Sequence, residues 1–138
     1  MPSEPRTYAS TPLAGKLGIR EASRVLVSAA PDGFDLGPVP PAVVLLRRPE
    51  APVDVALLFV TTASELRRRF ATAKRLLALD GRLWVAWPKK ASGVATDLDF
   101  DTVQRTGLEA GLVDNKSASI TDDFQGLQFV VRLRDRRR

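Results

Sequence analysis

The chain has 138 residues, 44% hydrophobic and 27% charged, which is one domain's worth of sequence with enough apolar content for a packed core. It carries 21 Lys+Arg against 16 Asp+Glu, a net charge of +5, with no Cys and no His. The two zeros exclude disulfides, cysteine-based zinc sites, thiol nucleophiles and imidazole bases, so Ser-His-Asp and Cys-His chemistry is out and any metal would need oxygen ligands alone.

Residues 1–10 hold two prolines and no apolar run. They lack the basic start and the apolar stretch of about 7–15 residues that mark a secretory signal. No segment reaches the roughly 18–20 apolar residues of a membrane span. The expectation is a cytoplasmic chain without membrane contact. It would have a flexible segment over 1–10, a single α/β domain over 11–134 and a basic tail over 135–138.

Residues 11–19 (TPLAGKLGI) predict a short helix, with Thr11 as N-cap, Pro12 at the first helical position and Gly18 ending it. Residues 24–29 (RVLVSA) read as a buried strand. Four prolines and two glycines between 31 and 41 predict a long loop with one helical turn over 34–36. Residues 42–46 (AVVLL) predict a second strand and 47–52 a turn. The run 53–60 (VDVALLFV) is apolar on both faces, as a central parallel strand should be.

Thr62, followed three residues later by Glu65, matches a capping box. Leu66, Phe70, Ala73 and Leu77 then fall at i, i+4, i+7 and i+11, the apolar stripe of a helix that Asp80-Gly81 should close. Residues 82–87 (RLWVAW) predict the next strand and 89–96 a loop. Asp97 or Asp99 should cap a helix over 100–110 that turns Phe100, Val103 and Gly107 toward the sheet, with Gly111 as its stop. Residues 112–120 are more polar and predict a strand near an edge. Beyond a turn at 121–126, Leu127, Phe129, Val131 and Leu133 alternate with Gln128, Val130, Arg132 and Arg134. That alternation predicts a half-exposed antiparallel strand.

Strands and helices that alternate through short links imply right-handed crossovers and a layered α/β sheet. The expected strand order is 2-1-3-4-6-5, with strand 6 antiparallel. This is a Rossmann-like, methyltransferase-like fold: a mostly parallel sheet of about six strands ending in an antiparallel hairpin.

Residues 53–133 resemble the second half of class I methyltransferases, with LLALDGRLWVAW at 76–87 as the helix-end, glycine and strand segment. The resemblance implies a place for S-adenosylmethionine after the first strand. Those enzymes put a glycine-rich loop there and an acid at the end of the second strand. Here residues 28–34 (SAAPDGF) offer one glycine and no G-x-G, and the second strand ends in Arg47-Arg48. No cofactor is expected.

A fuller match runs through TPLAGKLGI at 11–19, APDGF at 30–34, LWVAWPKKASGVATDL at 83–98, GLVDNK at 111–116 and GLQFVVR at 126–132. These segments resemble a small bacterial family catalogued as a domain of unknown function. Gly15 stands where Lys is common in that family, and Phe124 where Trp is common. The resemblance implies fold and kinship, and no established activity.

Trp87-Pro88-Lys89-Lys90 should lie just past the carboxyl end of a central strand, the edge where open α/β sheets take ligands. Two ammonium groups there suit a phosphate, a carboxylate or an acidic partner surface; Trp87 offers a stacking face, and Ser92 and Gly93 add donors. A solvated loop beside core tryptophans is the plain alternative. Pro31 and Phe34 follow the first strand and face the same edge, either as a cleft wall or as a turn with Phe34 plugging the core. Thr11, Pro12 and Lys16 lie on a helix outside the sheet and either cover the cleft or cap the core.

Asp97, Asp99 and Asp101 have the spacing that opens an EF-hand loop, but Thr102 and Leu108 stand where that loop needs Gly and Glu. No metal is expected. Residues 126–138 hold five Arg against one Asp. Arg134, Arg136, Arg137 and Arg138 are therefore candidates for weak nucleic-acid attraction, although the aromatic interleaving that stacks bases is missing. The expectation is a non-catalytic module that binds an anionic small molecule or a protein partner at the 31–34 and 87–93 edge. The alternatives are a cryptic or degenerate methyltransferase-like enzyme using Lys89 or Lys90, and weak nucleic-acid association through the arginine-rich end.

Overall fold

The computed structural model describes residues 12–136. In chain order it places α1 (Leu13–Leu17), β1 (Arg24–Ser28), β2 (Val44–Leu45), β3 (Val53–Phe59), α2 (Ala63–Leu76), β4 (Leu77–Pro88), α3 (Phe100–Glu109), β5 (Leu112–Ser119) and β6 (Phe124–Val131). One six-stranded sheet has the order β2-β1-β3-β4-β6-β5. The pairs from β2 through β4 are parallel, and β6 runs antiparallel to both β4 and β5. This is the order and polarity the sequence predicts.

Each face of the sheet has its own core. On one face, Leu66, Phe70 and Ala73 of α2 and Val103 of α3 pack on Leu26, Ala56, Leu58, Leu83, Val85 and Phe129. Phe70 meets Phe129 edge to face at 5.3 Å. On the other face, Ala14 and Leu17 of α1 and Leu36 of the loop between β1 and β2 cover Val25, Val55, Leu57, Trp84 and Phe124. The buried Trp84 indole Nε1 donates to the Leu17 carbonyl at 3.0 Å, satisfying a carbonyl that the end of α1 leaves free.

Several local expectations are corrected. Pro12 is the N-cap of α1 rather than its first residue, and Thr11 lies outside the described residues. β1 stops at Ser28 because Ala29 adopts a left-handed φ of 58°. Residues 34–36 form no helical turn; instead the Phe34 amide closes a turn on the Pro31 carbonyl at 3.0 Å. β2 is cut to two exposed residues.

The helix α2 ends at Leu76, and the chain passes directly into β4. Asp80-Gly81 therefore lies inside a strand, where the β3–β4 register shifts, and not at a helix end. Phe100 is 44% exposed: it reaches the sheet only at its margin, where its ring meets Trp87 of β4 at 6.4 Å. β6 is not half-exposed: it sits between two strands and is buried on both faces, Gln128 included. Gln128 keeps its amide satisfied by donating to Asn115 Oδ1 at 2.8 Å and accepting from Arg82 at 3.4 Å. The strand ends at Val131, leaving Leu133 exposed.

Gly107 is buried on α3 at the point where the helix lies against the Phe129 ring; a Cβ there would overlap that ring. Gly107→Ala should therefore destabilise the fold by about 1–3 kcal/mol, although Ala is the better helix former by about 1 kcal/mol. Urea unfolding of the variant, set against Leu108→Ala on the exposed side of the same helix, checks this.

Candidate functional site

The carboxyl ends of β4 and β5 and the start of β6 share one edge, because β6 alone runs the other way. They frame an open depression of about 1020 Å³. Trp87, Pro88, Lys89, Lys90 and Gly93 line it, together with Val94, Asp99, Phe100 and Asp101 and the facing residues Ser117, Ser119 and Gln125, while Ser92 is not among the lining residues.

Lys89 ties this edge together. Its amide donates to the Asp123 carbonyl at 2.8 Å, and its ammonium donates to Ser119 Oγ at 2.8 Å. Its carbonyl accepts from the Ser92 amide at 3.0 Å and from the Ser92 hydroxyl at 2.7 Å. These bonds wind a 3₁₀ turn over Lys90–Ser92, which Gly93 ends at a positive φ of 79°. The Ser92 hydroxyl also accepts from the Val94 amide at 3.1 Å. Ser92 thus serves its own turn.

Lys90 is exposed and acts on Asp99. The Asp99 carboxyl is held below the usual aspartate range chiefly by the Thr102 amide, then by the Thr102 hydroxyl, with the charges of Arg105 and Lys90 adding to them. Trp87 is 2% exposed and lies 6.4 Å from the Phe100 ring. It therefore forms the floor of the depression and does not present the stacking face that the sequence reading gave it.

The remaining candidates lie elsewhere. Lys16 has its carbonyl engaged by the Lys116 ammonium at 2.7 Å, and Lys116 also stands over the Trp84 ring at 5.9 Å. Pro31 and Phe34 belong to the loop after β1. The Phe34 ring packs on Phe59 at 5.0 Å, and Phe59 packs on Phe124 at 5.2 Å. Phe34 is therefore a plug and not a cleft wall. Of the arginine-rich end, Arg134 pairs with Asp135 at 4.0 Å and Arg136 donates to the Val131 carbonyl at 2.9 Å; Arg137 and Arg138 lie outside the described residues.

The strand order changes direction between β1 and β3. In open α/β sheets the crevice at that point is the usual ligand site. Here it is closed from two sides. The Phe34–Phe59–Phe124 row occupies one. On the other, the Thr61 carbonyl at the end of β3 accepts from Thr96 Oγ1 at 2.6 Å and from the Asp97 amide at 3.4 Å. Asp97 Oδ1 then accepts from the Ala63 amide at 2.8 Å, so Asp97 caps α2 while Asp99 caps α3. The capping box of α2 is also displaced: Thr62 accepts from the Glu65 amide at 3.1 Å, but the Glu65 carboxylate reaches back to the Thr61 amide at 2.9 Å.

No family model matches the chain, and no curated protein matches it. Among solved structures, it is similar to a TehB-like SAM-dependent methyltransferase from Corynebacterium glutamicum, at 12% identity and a TM-score of 0.54, covering 93% of each chain. A chain of the fibrillarin/Nop5p complex matches at 14% identity and a TM-score of 0.52, with 80% of this chain and 73% of that one covered. A chain described as a type 11 methyltransferase from Sulfolobus solfataricus matches at 18% identity and a TM-score of 0.44, over 66% of this chain. The present chain spans 59% of that protein's length. The fold is thus a Rossmann-like methyltransferase fold.

That fold implies S-adenosylmethionine, and the residues at the crevice do not fit it. An aromatic plug stands where the cofactor would enter, the end of β3 is bonded to the 96–97 strap, and two arginines follow β2 where an acid would hold the ribose.

The Glu65 carboxyl is lowered first by the Thr61 amide, against the opposing effect of burial, and then by Arg69. A carboxyl with a lowered folded value adds stability above its unfolded value of about 4.3, and that stability is lost as the pH falls through the folded value. Asp99 has the same sign. Lowering the pH from about 5 to about 3 should therefore destabilise the wild type more than Glu65→Gln. Urea midpoints measured across that range check this.

Proposed function

We propose that the chain is a non-catalytic interaction module built on a methyltransferase fold, and that its edge at β4, β5 and β6 engages a protein partner. The observation that carries this reading is the pairing of a plugged crevice with an open depression beside it. The depression exposes Val94 and Phe100 among charges of both signs, the apolar-centre and polar-rim pattern of a transient interface. A small anion suits this edge less well, because Ser119 already takes the Lys89 ammonium and the Asp99 carboxylate stands close enough to Lys90 to feel its charge. Kinship with the small bacterial family and a cytoplasmic setting belong to the same reading. Among the described residues no helix is long and apolar enough to cross a membrane. The competing reading, a degenerate methyltransferase-like enzyme, draws its support from the methyltransferase neighbours alone.

Thermal melting with S-adenosylmethionine and S-adenosylhomocysteine at millimolar concentration separates the two. No change is expected; a rise of about 2 °C or more, the mark of a ligand well above its Kd, overturns the non-catalytic reading. Phe100→Asp should keep the fold, since the ring is exposed. It should weaken a partner recovered with the wild-type chain by at least about tenfold, as loss of a central apolar anchor does. Equal recovery by both chains removes this edge as the interface.

A further inference from the structure

A groove between β2 and α2 lies apart from the β4–β6 edge. Seven residues, 46–52, carry the chain from β2 across β1 to β3. Parallel crossovers need a dozen or more residues to include a helix, so this one has none and the sheet beside α2 stays uncovered there. What remains is a cavity of about 420 Å³ with an apolar floor that includes Leu26 and Leu58. That size lies within the usual range for small-molecule pockets, about 300–1,000 Å³.

Four arginines surround the floor: Arg47 and Arg48 from the turn after β2, Arg68 and Arg69 from α2. Among the described residues no acidic residue lines the cavity. Of these four arginines only Arg69 has an acidic partner among the described residues, Glu65 at 3.8 Å, and it also donates to Ser28 Oγ at 3.1 Å. The groove lies over the later half of β1, between the turn after β2 and the middle of α2.

We infer that this groove binds a small molecule carrying a phosphoryl group on an apolar body. The planar guanidinium fork matches phosphate oxygens two at a time, and the floor of leucines takes the body. Three arginines without an acidic partner among the described residues, with Arg69 beside them, exceed what a single carboxylate would balance, and they favour a phosphate dianion.

Calorimetric titration of the full chain tests this with 1-naphthyl phosphate, inorganic phosphate, 1-naphthoate and a short single-stranded oligonucleotide of about ten nucleotides. Saturable binding of 1-naphthyl phosphate is expected, at least about tenfold tighter than either inorganic phosphate or 1-naphthoate. Arg48→Ala and Arg68→Ala should each weaken it by about tenfold, with melting temperatures unchanged because both side chains are exposed. Lys90→Ala, at the other edge, should leave it unaltered. Absence of saturable binding, equal affinity for the carboxylate, indifference to the arginine variants or tighter binding of the oligonucleotide each overturns the proposal. None of these results bears on the partner edge, so the two readings fail separately.

Discussion

A parallel sheet has to be covered on both faces, and this chain supplies long helices for only one of them. α2 and α3 lie on the same face, each on the return between strands that advance toward β6. The opposite face is covered by the five-residue α1 and by the proline-rich loop between β1 and β2. A loop without a helix has to bury its apolar side chains singly, and it does so with Phe34 and Leu36. Placing Phe34 against Phe59 closes the crevice that a methyltransferase fold ordinarily leaves open at the change of strand order. The contact that completes the core therefore also sets an aromatic ring beside the end of β3. The much shorter link from β2 to β3 has the reverse effect, leaving sheet uncovered beside α2.

The loop from β4 to α3 is held by bonds from side chains to backbone. Thr96 and Asp97 fasten it to the end of β3 and the start of α2; Asp99 starts α3, and Lys89 fixes its other end to the β5–β6 hairpin. Each such bond contributes about 1 kcal/mol, and together they keep a stretch of exposed loop in one shape. A rigid loop with apolar groups on show loses little conformational freedom on docking, which suits an interaction surface.

Charge is distributed more unevenly than its sum implies. Outside the last thirteen residues the chain is nearly neutral, yet acids and bases are not mixed evenly over its surface. Asp97, Asp99 and Asp101 gather at the start of α3, where Asp99 feels the charge of Lys90. Arg47, Arg48, Arg68 and Arg69 gather at the β2–α2 groove with Glu65 as the one acid paired there. In the sequence Arg47 and Arg48 read as part of a turn, and nothing local links them to Arg68 and Arg69. Only the parallel pairing of β1 with β2 and β3 brings the two pairs around one cavity.

The sequence by itself determined the strand order, the polarity of the final hairpin and both long helices. Periodicity and capping residues are local signals, and short links leave few right-handed ways to connect such elements. It also placed Trp87 to Gly93 at the carboxyl edge, because that follows from strand order alone. Tertiary structure decided what depends on neighbours. It buried β6 on both faces, since flanking strands and the layers above and below outweigh a half-polar pattern. It made Trp87 a floor and Lys89 a clamp, because Phe100, Ser119 and Asp123 approach them from distant segments. It also turned Phe34 inward, since the sheet face it covers has no long helix to fill that place.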